Sequence, residues 1–120
     1  MLRREHRLSK GREYAEVYRA GRAYSGGPLR LYVSGAERGK KAGVVVSKKI
    51  GGAVERNRVR RLISEAVRAM LPEVADGTRL VFVARPAARG AGFSEVRRAV
   101  GELLDEAGVL ACREVGDDGR

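Results

Sequence analysis

The run Ala53-Val54-Glu55-Arg56-Asn57-Arg58-Val59-Arg60-Arg61-Leu62-Ile63-Ser64-Glu65-Ala66-Val67-Arg68-Ala69-Met70 carries the clearest helical period in the chain. Val59, Leu62, Ile63, Ala66, Val67 and Met70 fall at i, i+3, i+4, i+7, i+8 and i+11, one apolar stripe at helical spacing. With that stripe turned to a core, Asn57, Arg61, Ser64 and Arg68 line the opposite side, flanked by Arg58 and Arg60. Arg56 lies nearer the apolar edge, but in the first turn, where it can still reach outward. Gly51-Gly52 breaks the chain before this helix, and Pro72 stops it. Arginines so closely spaced repel one another in an isolated helix. A polyanion lying along the row relieves that repulsion and releases counterions. An ordinary solvated face would instead place Glu three or four residues before each Arg, and only Glu55 (before Arg58) and Glu65 (before Arg68) do so.

Outward from this helix the period changes. Ala42 to Ser47, with Val44, Val45 and Val46, reads as a strand, as does Leu29 to Ser34, where Leu29, Leu31 and Val33 alternate with Arg30, Tyr32 and Ser34. The polar, glycine-containing loop from Gly35 to Lys41 suggests that these two strands form an antiparallel hairpin. Residues 20–26 add a short edge strand before the Gly26-Gly27-Pro28 turn. Ser9 is placed to cap a first helix from Lys10 to about Ala20 with the stripe Tyr14, Val17 and Tyr18, and Gly21 to end it in a left-handed conformation. After the Asp76-Gly77 turn, the continuous apolar run Leu80 to Ala84 reads as a buried strand. A loop over Arg85 to Gly92 follows. Ser94 is then placed to cap a last helix with the stripe Val96, Ala99, Val100, Leu103, Leu104 and Ala107, closed by Gly108. The order helix, strands, helix, strand, helix predicts an α/β sandwich with one sheet of about four strands and three helices. Residues 1–115 form a single domain in this reading, and 116–120 a flexible tail.

Composition narrows the function. In 120 residues, 25 Lys and Arg stand against 15 Asp and Glu, a net charge of +10, and 43% of the chain is hydrophobic. That apolar content excludes a disordered basic tail. No apolar run approaches the length of a membrane span, and no apolar stretch follows the basic N-terminus, so a soluble cytoplasmic domain is expected. Twenty of the cations are Arg, whose planar fork suits phosphate oxygens. The charge is unevenly spread: residues 38–68 carry a net +8, whereas residues 69–120 carry −2. A polyanionic partner for the first part of the chain follows from this asymmetry.

Self-sufficient catalysis is poorly supported. His6 is the only histidine and Cys112 the only cysteine, at opposite ends of the chain, and the basic half lacks Asp. The P-loop Gly-Lys-Ser/Thr pattern is absent, so no metal or nucleophile site is predicted. Tyr14 and Tyr18 on one helix stripe could be core. Together with Tyr32, on the strand face opposite Leu31 and Val33, they could instead line a groove where unpaired bases stack. Phe82, inside a buried-type strand, is most simply core.

The run Val46-Ser47-Lys48-Lys49-Ile50-Gly51-Gly52, continuing through Arg56-Asn57-Arg58 to Ser64 and Glu65, resembles the signature of the protein subunit of bacterial ribonuclease P. The resemblance extends to Arg7-Leu8-Ser9-Lys10, to the aromatic first helix ending at Gly21, to the Leu31-Tyr32 strand and to Val81-Phe82-Val83-Ala84-Arg85-Pro86-Ala87. It implies a left-handed βαβ crossover through the signature helix, against the general rule of handedness. It also implies a 1:1 ribonucleoprotein in which a catalytic RNA, with Mg²⁺ bound mainly by that RNA, removes the 5′ leader of precursor tRNA. By the match, Lys48, Lys49, Arg56, Asn57, Arg58, Arg60, Arg61 and Arg68 contact RNA, and Tyr14, Tyr18 and Tyr32 line the leader cleft. The chain departs from the family pattern in two ways. Tyr stands where the helix commonly carries Phe, which adds hydroxyls needing partners. Ser64 stands where the family often carries Arg or Lys, which removes one phosphate contact from the outer row. A structural RNA-binding protein, such as a ribosomal component, is the alternative from another class; a nuclease with its own site is opposed by the missing His and carboxylate clusters.

Overall fold

Helix α2 spans Ala53–Met70, and Val59, Ile63, Ala66 and Val67 of its stripe are buried. Each large aliphatic side chain taken fully out of water stabilises by about 1.5–3 kcal/mol. Repulsion between neighbouring arginines costs only a few tenths of a kcal/mol per pair, so the anchored stripe wins. The structure is a computed structural model and describes residues 2, 4–8, 11–36 and 39–110. The positions proposed for the Ser9 cap and for the C-terminal tail lie outside these residues.

The other elements are α1 (Gly11–Ala20), β1 (Arg22–Gly26), β2 (Leu29–Gly35), β3 (Lys40–Val45), β4 (Thr78–Ala84) and α3 (Phe93–Ala107). Short 3-10 turns occupy Arg4–His6, Lys48–Ile50, Leu71–Glu73 and Pro86–Gly90. The strands form one mixed sheet in the order β1-β2-β4-β3. β1 pairs with β2 and β2 with β4 in antiparallel fashion, and β3 runs parallel to β4. The hairpin expected between β2 and β3 is therefore absent: β4 inserts between them, and α2 is the crossover that joins the parallel pair. The loop between β2 and β3 spans one intervening strand rather than making a tight turn.

Strand alternation divides the sheet into two faces. Leu29, Leu31, Val33, Ala42, Leu80 and Phe82 point to one side and join the buried residues of α2 and α3 in the main core. Phe82 sits between Leu31 and Val44 by register and has no exposed surface. On the other side α1 and the segment around Leu8 cover the sheet; Val17 packs with Leu8 and Val81, bordered by Tyr14, Tyr32, Val45 and Val83. This thinner cover leaves part of the second face open.

Two expected helix ends differ. Gly21 is not left-handed. Its N–H donates to the Val17 carbonyl at 2.8 Å, and a Cβ there would come within 2.6 Å of the Val33 carbonyl oxygen. Glycine is needed for that close approach between α1 and β2, not for its φ. Ser94 does not cap α3: the helix begins at Phe93, two residues earlier than that cap requires, with Gly92 at its N-cap and no side-chain cap bond. At the other end Gly108, with φ 75°, closes α3 in the left-handed conformation.

Candidate nucleic-acid interface

The basic surface begins where β3 ends. Ile50 is buried and pins the turn Lys48–Ile50, while Lys48 and Lys49 stay exposed beside it. The Ser47 hydroxyl accepts from the Lys49 N–H at 3.3 Å, and the Gly51 N–H donates to the Lys48 carbonyl at 3.2 Å. Gly51 has φ 151°, a conformation suited to glycine, and so redirects the chain into α2. Gly52 caps the helix without a side-chain bond. The resulting N-terminus is surrounded by cations, and Glu55 is the acid of its first turn.

Along α2 the outer row is only partly as expected. Asn57, Arg61 and Arg68 are exposed. Arg60 Nη1 donates to Asn57 Oδ1 at 2.9 Å, and Arg68 pairs with Glu65 at 3.2 Å, contacts that a phosphate can displace at low cost. Arg56 Nη1 donates to the Gly51 carbonyl at 3.2 Å, tying the first turn to the glycine before it. Arg58 is held on two sides: Nε and Nη2 donate to Glu55 Oε2 at 3.2 and 3.0 Å, and Nη2 donates to the Arg89 carbonyl at 2.6 Å. Ser64 leaves the outer row altogether. It is 5% exposed, in a groove lined by Leu2, Leu8, Ala42, Val44 and Arg60. The helix wheel placed it outside because it ignores the N-terminal segment, which runs beside β3 through a bridge from Arg7 to Ala42.

The tyrosines meet on the open face of the sheet and divide the work unequally. Tyr14 is half-buried, its ring lying over Gly43 and its hydroxyl donating to the Leu8 carbonyl at 3.3 Å. That bond supplies the partner which a Tyr in place of Phe requires. Tyr18 is 41% exposed and meets Tyr32 edge to face, with ring centroids 4.8 Å apart and an interplanar angle of 89°. The Arg30 guanidinium carbon lies 5.3 Å from the Tyr32 ring centroid. Burial raises the pKa of Tyr14 above 10.0, with a further push from Glu13. Burial also raises that of Tyr18, helped by Tyr32 and Tyr14. Both phenols are therefore neutral donors at physiological pH.

Three residues escaped the sequence reading. Arg30 precedes Tyr32 by two positions on the same strand face, and the period of the strand was the signal that could have found it. Gly43 and Arg89 had no local signal, since each acquires its neighbour across the fold. His6 lies apart, with Leu2, Lys40, Arg68, Leu71 and Pro72 around a cleft of about 370 Å³. Among the described residues no group of three or more His, Cys, Asp or Glu side chains could hold a metal ion, and no helix is long and apolar enough to cross a membrane.

Residues 2–108 match the ribonuclease P family model. The ribonuclease P protein component of Roseiflexus castenholzii is 40% identical over 111 residues, covering 91% of each chain. That of Clostridium perfringens is 41% identical over 110 residues, 85% of this chain and 88% of the relative. Among solved structures, the RNase P protein of Staphylococcus aureus superposes with a TM-score of 0.80 over 88% of this chain and 97% of its own, at 22% identity. The Thermotoga maritima protein gives 0.75 over 83% and 96%, also at 22% identity. At such identities the structural likeness establishes the fold, and the sequence relatives establish the kinship.

Proposed function

The chain belongs to the ribonuclease P protein family, and from that premise we propose that it binds the catalytic RNA of ribonuclease P and the 5′ leader of precursor tRNA in a 1:1 ribonucleoprotein. Ribonuclease P acts in tRNA processing, and in this reading the RNA subunit performs the phosphodiester hydrolysis that leaves the mature tRNA 5′ end. Lys48, Lys49, Arg56, Asn57, Arg61 and Arg68, with Arg60 beside them, offer donors to phosphates of the RNA subunit. Each phosphate neutralised releases counterions, so binding is steeply salt-dependent. Tyr18 and Tyr32 offer stacking faces to unpaired leader bases, Tyr14 forms the floor, and Arg30 stands where the leader backbone would pass. The protein's contribution is affinity and alignment of the scissile bond, which lowers the entropic part of the barrier. Mg²⁺ belongs to the RNA in this reading.

The observation that supports this reading best is the position of the basic turn relative to the aromatic face. β3 ends at Val45, which borders the Tyr14 and Tyr32 cluster, and Lys48–Ile50 leads directly from there into α2. One continuous strip can thus serve both a leader and the RNA that cuts it. Reconstitution tests the proposal: the protein is added to a bacterial ribonuclease P RNA and precursor tRNA at low Mg²⁺, and leader release is followed. Faster release is expected. A folded protein that leaves the rate unchanged across a concentration series would refute it.

A further inference from the structure

Arg58 belongs to the Arg-Asn-Arg run, yet its guanidinium, in a side chain 41% exposed, is tied to the protein on two sides. Glu55 Oε2 takes both Nε and Nη2, and the same Nη2 reaches the Arg89 carbonyl at 2.6 Å, across 31 residues of sequence. A charge-assisted bond of that length is among the stronger contacts a surface side chain makes. It ties α2 to the turn Pro86–Gly90. The turn is further fixed by Ala88, which is fully buried and donates its N–H to the Arg85 carbonyl at 2.8 Å.

The fixed turn carries a cation of its own. Arg89 is exposed and forms no ion pair among the described residues. Its guanidinium carbon lies 3.9 Å from the point where a Cβ on Gly51 would stand, so its charge sits at the first turn of α2. Lys48, Lys49 and Arg56 occupy the same end of the helix, with Glu55 the acid nearby and already engaged by Arg58. Arg58 has only its two Nη1 N–H groups left for a phosphate, and turning its whole fork onto one would cost it Glu55 and the Arg89 carbonyl, whereas the Arg89 side chain holds no such contacts among the described residues.

We infer that Arg58 is a positioning residue and that Arg89, far from the signature in sequence, is the side chain that meets the phosphate of the RNA subunit at this end of α2. The inference rests on the proposed function, since the phosphate is that of the ribonuclease P RNA.

The test is a titration of the full chain and its variants on a bacterial ribonuclease P RNA over a series of salt concentrations. Arg89→Ala removes one phosphate contact, so the slope of log affinity against log salt falls by up to about 0.7–0.9. Between 50 and 200 mM salt the variant then loses about threefold less affinity than the parent. Arg58→Gln lowers the slope by the same amount, and the double variant lowers it no further, because both changes remove one contact. Arg58→Lys, which can still donate to the carbonyl and pair with Glu55, restores most of the slope. Slope losses that add in the double variant would make Arg58 a phosphate ligand and overturn the inference. So would a parental slope in Arg89→Ala where Arg61→Ala has a reduced one; in that case RNA binding itself stands. A parent chain that binds the RNA without salt dependence would instead defeat the proposed function. Arg89 is exposed, so its variant keeps the test readable even if Arg58→Gln melts early.

Discussion

Replacing Gly43 by Ala puts the aromatic floor to the test. The new methyl group would fall on the Tyr14 hydroxyl and within 2.6 Å of its Cε1 and Cζ atoms, closer than real carbons approach. The ring must lift, and it then loses the bond to the Leu8 carbonyl. A lost hydrogen bond costs about 1 kcal/mol, and forcing a methyl into a filled space about 1–3 kcal/mol. Replacing glycine inside a strand returns roughly 0.5–1 kcal/mol of that. The net expectation is a loss of about 1–3 kcal/mol, which for a chain of 120 residues lowers Tm by about 4–12 °C. Thermal unfolding of four proteins measures it: parent, Gly43→Ala, Tyr14→Ala and the double variant. Once Tyr14 is removed, the Gly43→Ala change should be neutral or slightly stabilising, a coupling of about 1–3 kcal/mol between the two positions. The single variant should also bind precursor tRNA more weakly, because the lifted ring intrudes on the leader path. Unchanged stability in Gly43→Ala with zero coupling would refute the seating of Tyr14 on β3.

Tyr18→Ala should weaken binding of precursor tRNA by about 1–3 kcal/mol while leaving mature tRNA unaffected; equal losses for both would show that Tyr18 serves packing instead. Arg61→Ala should lower the salt slope for RNA-subunit binding by up to about 0.7–0.9 without changing Tm, read from parallel titrations and melts. Ser64→Arg should raise that slope by a similar amount, since the groove of about 160 Å³ beside Arg60 can take the methylene stem and release the guanidinium at the surface. An unchanged slope would mean that the new fork stays in the groove. Because the folded chain holds the phenol protons of Tyr14 and Tyr18 more tightly than the unfolded chain does, these groups contribute stability that is present below pH 10.0 and lost as pH rises through their folded pKa values. Ultraviolet titration should find phenol ionisation above pH 10.0 that diminishes in Tyr14→Phe and in Tyr18→Phe; no change in either variant would contradict the burial.

What could be read from the chain depended on how local its cause was. The α2 bounds followed from a stripe and two breakers within one continuous segment, and β2 from strict alternation. The pairing of β3 did not follow, because neighbouring strands usually pair with each other and nothing local announces that Thr78–Ala84 will come between them. The cap at Ser94 failed for a related reason: Phe93 can begin the helix, and Gly92 supplies the turn without a side chain. At the interface, residue types were legible and their directions were not. Ser64 and Arg58 both lie on a helix face that a wheel calls outward. The N-terminal segment covers the groove around the first, and the turn after β4 engages the second.

The insertion of β4 between β2 and β3 also shapes how the molecule comes into being. A chain emerging from a ribosome would expose α2 with its arginines before β4, the strand that fixes its crossover, and α3 have been made. Contacts so distant along the chain slow folding, because a long loop must close before they form. During that interval the nascent protein carries a cationic amphipathic helix whose apolar stripe has yet to meet its full core. Docking of α3 ends that interval by closing the core beneath the helix.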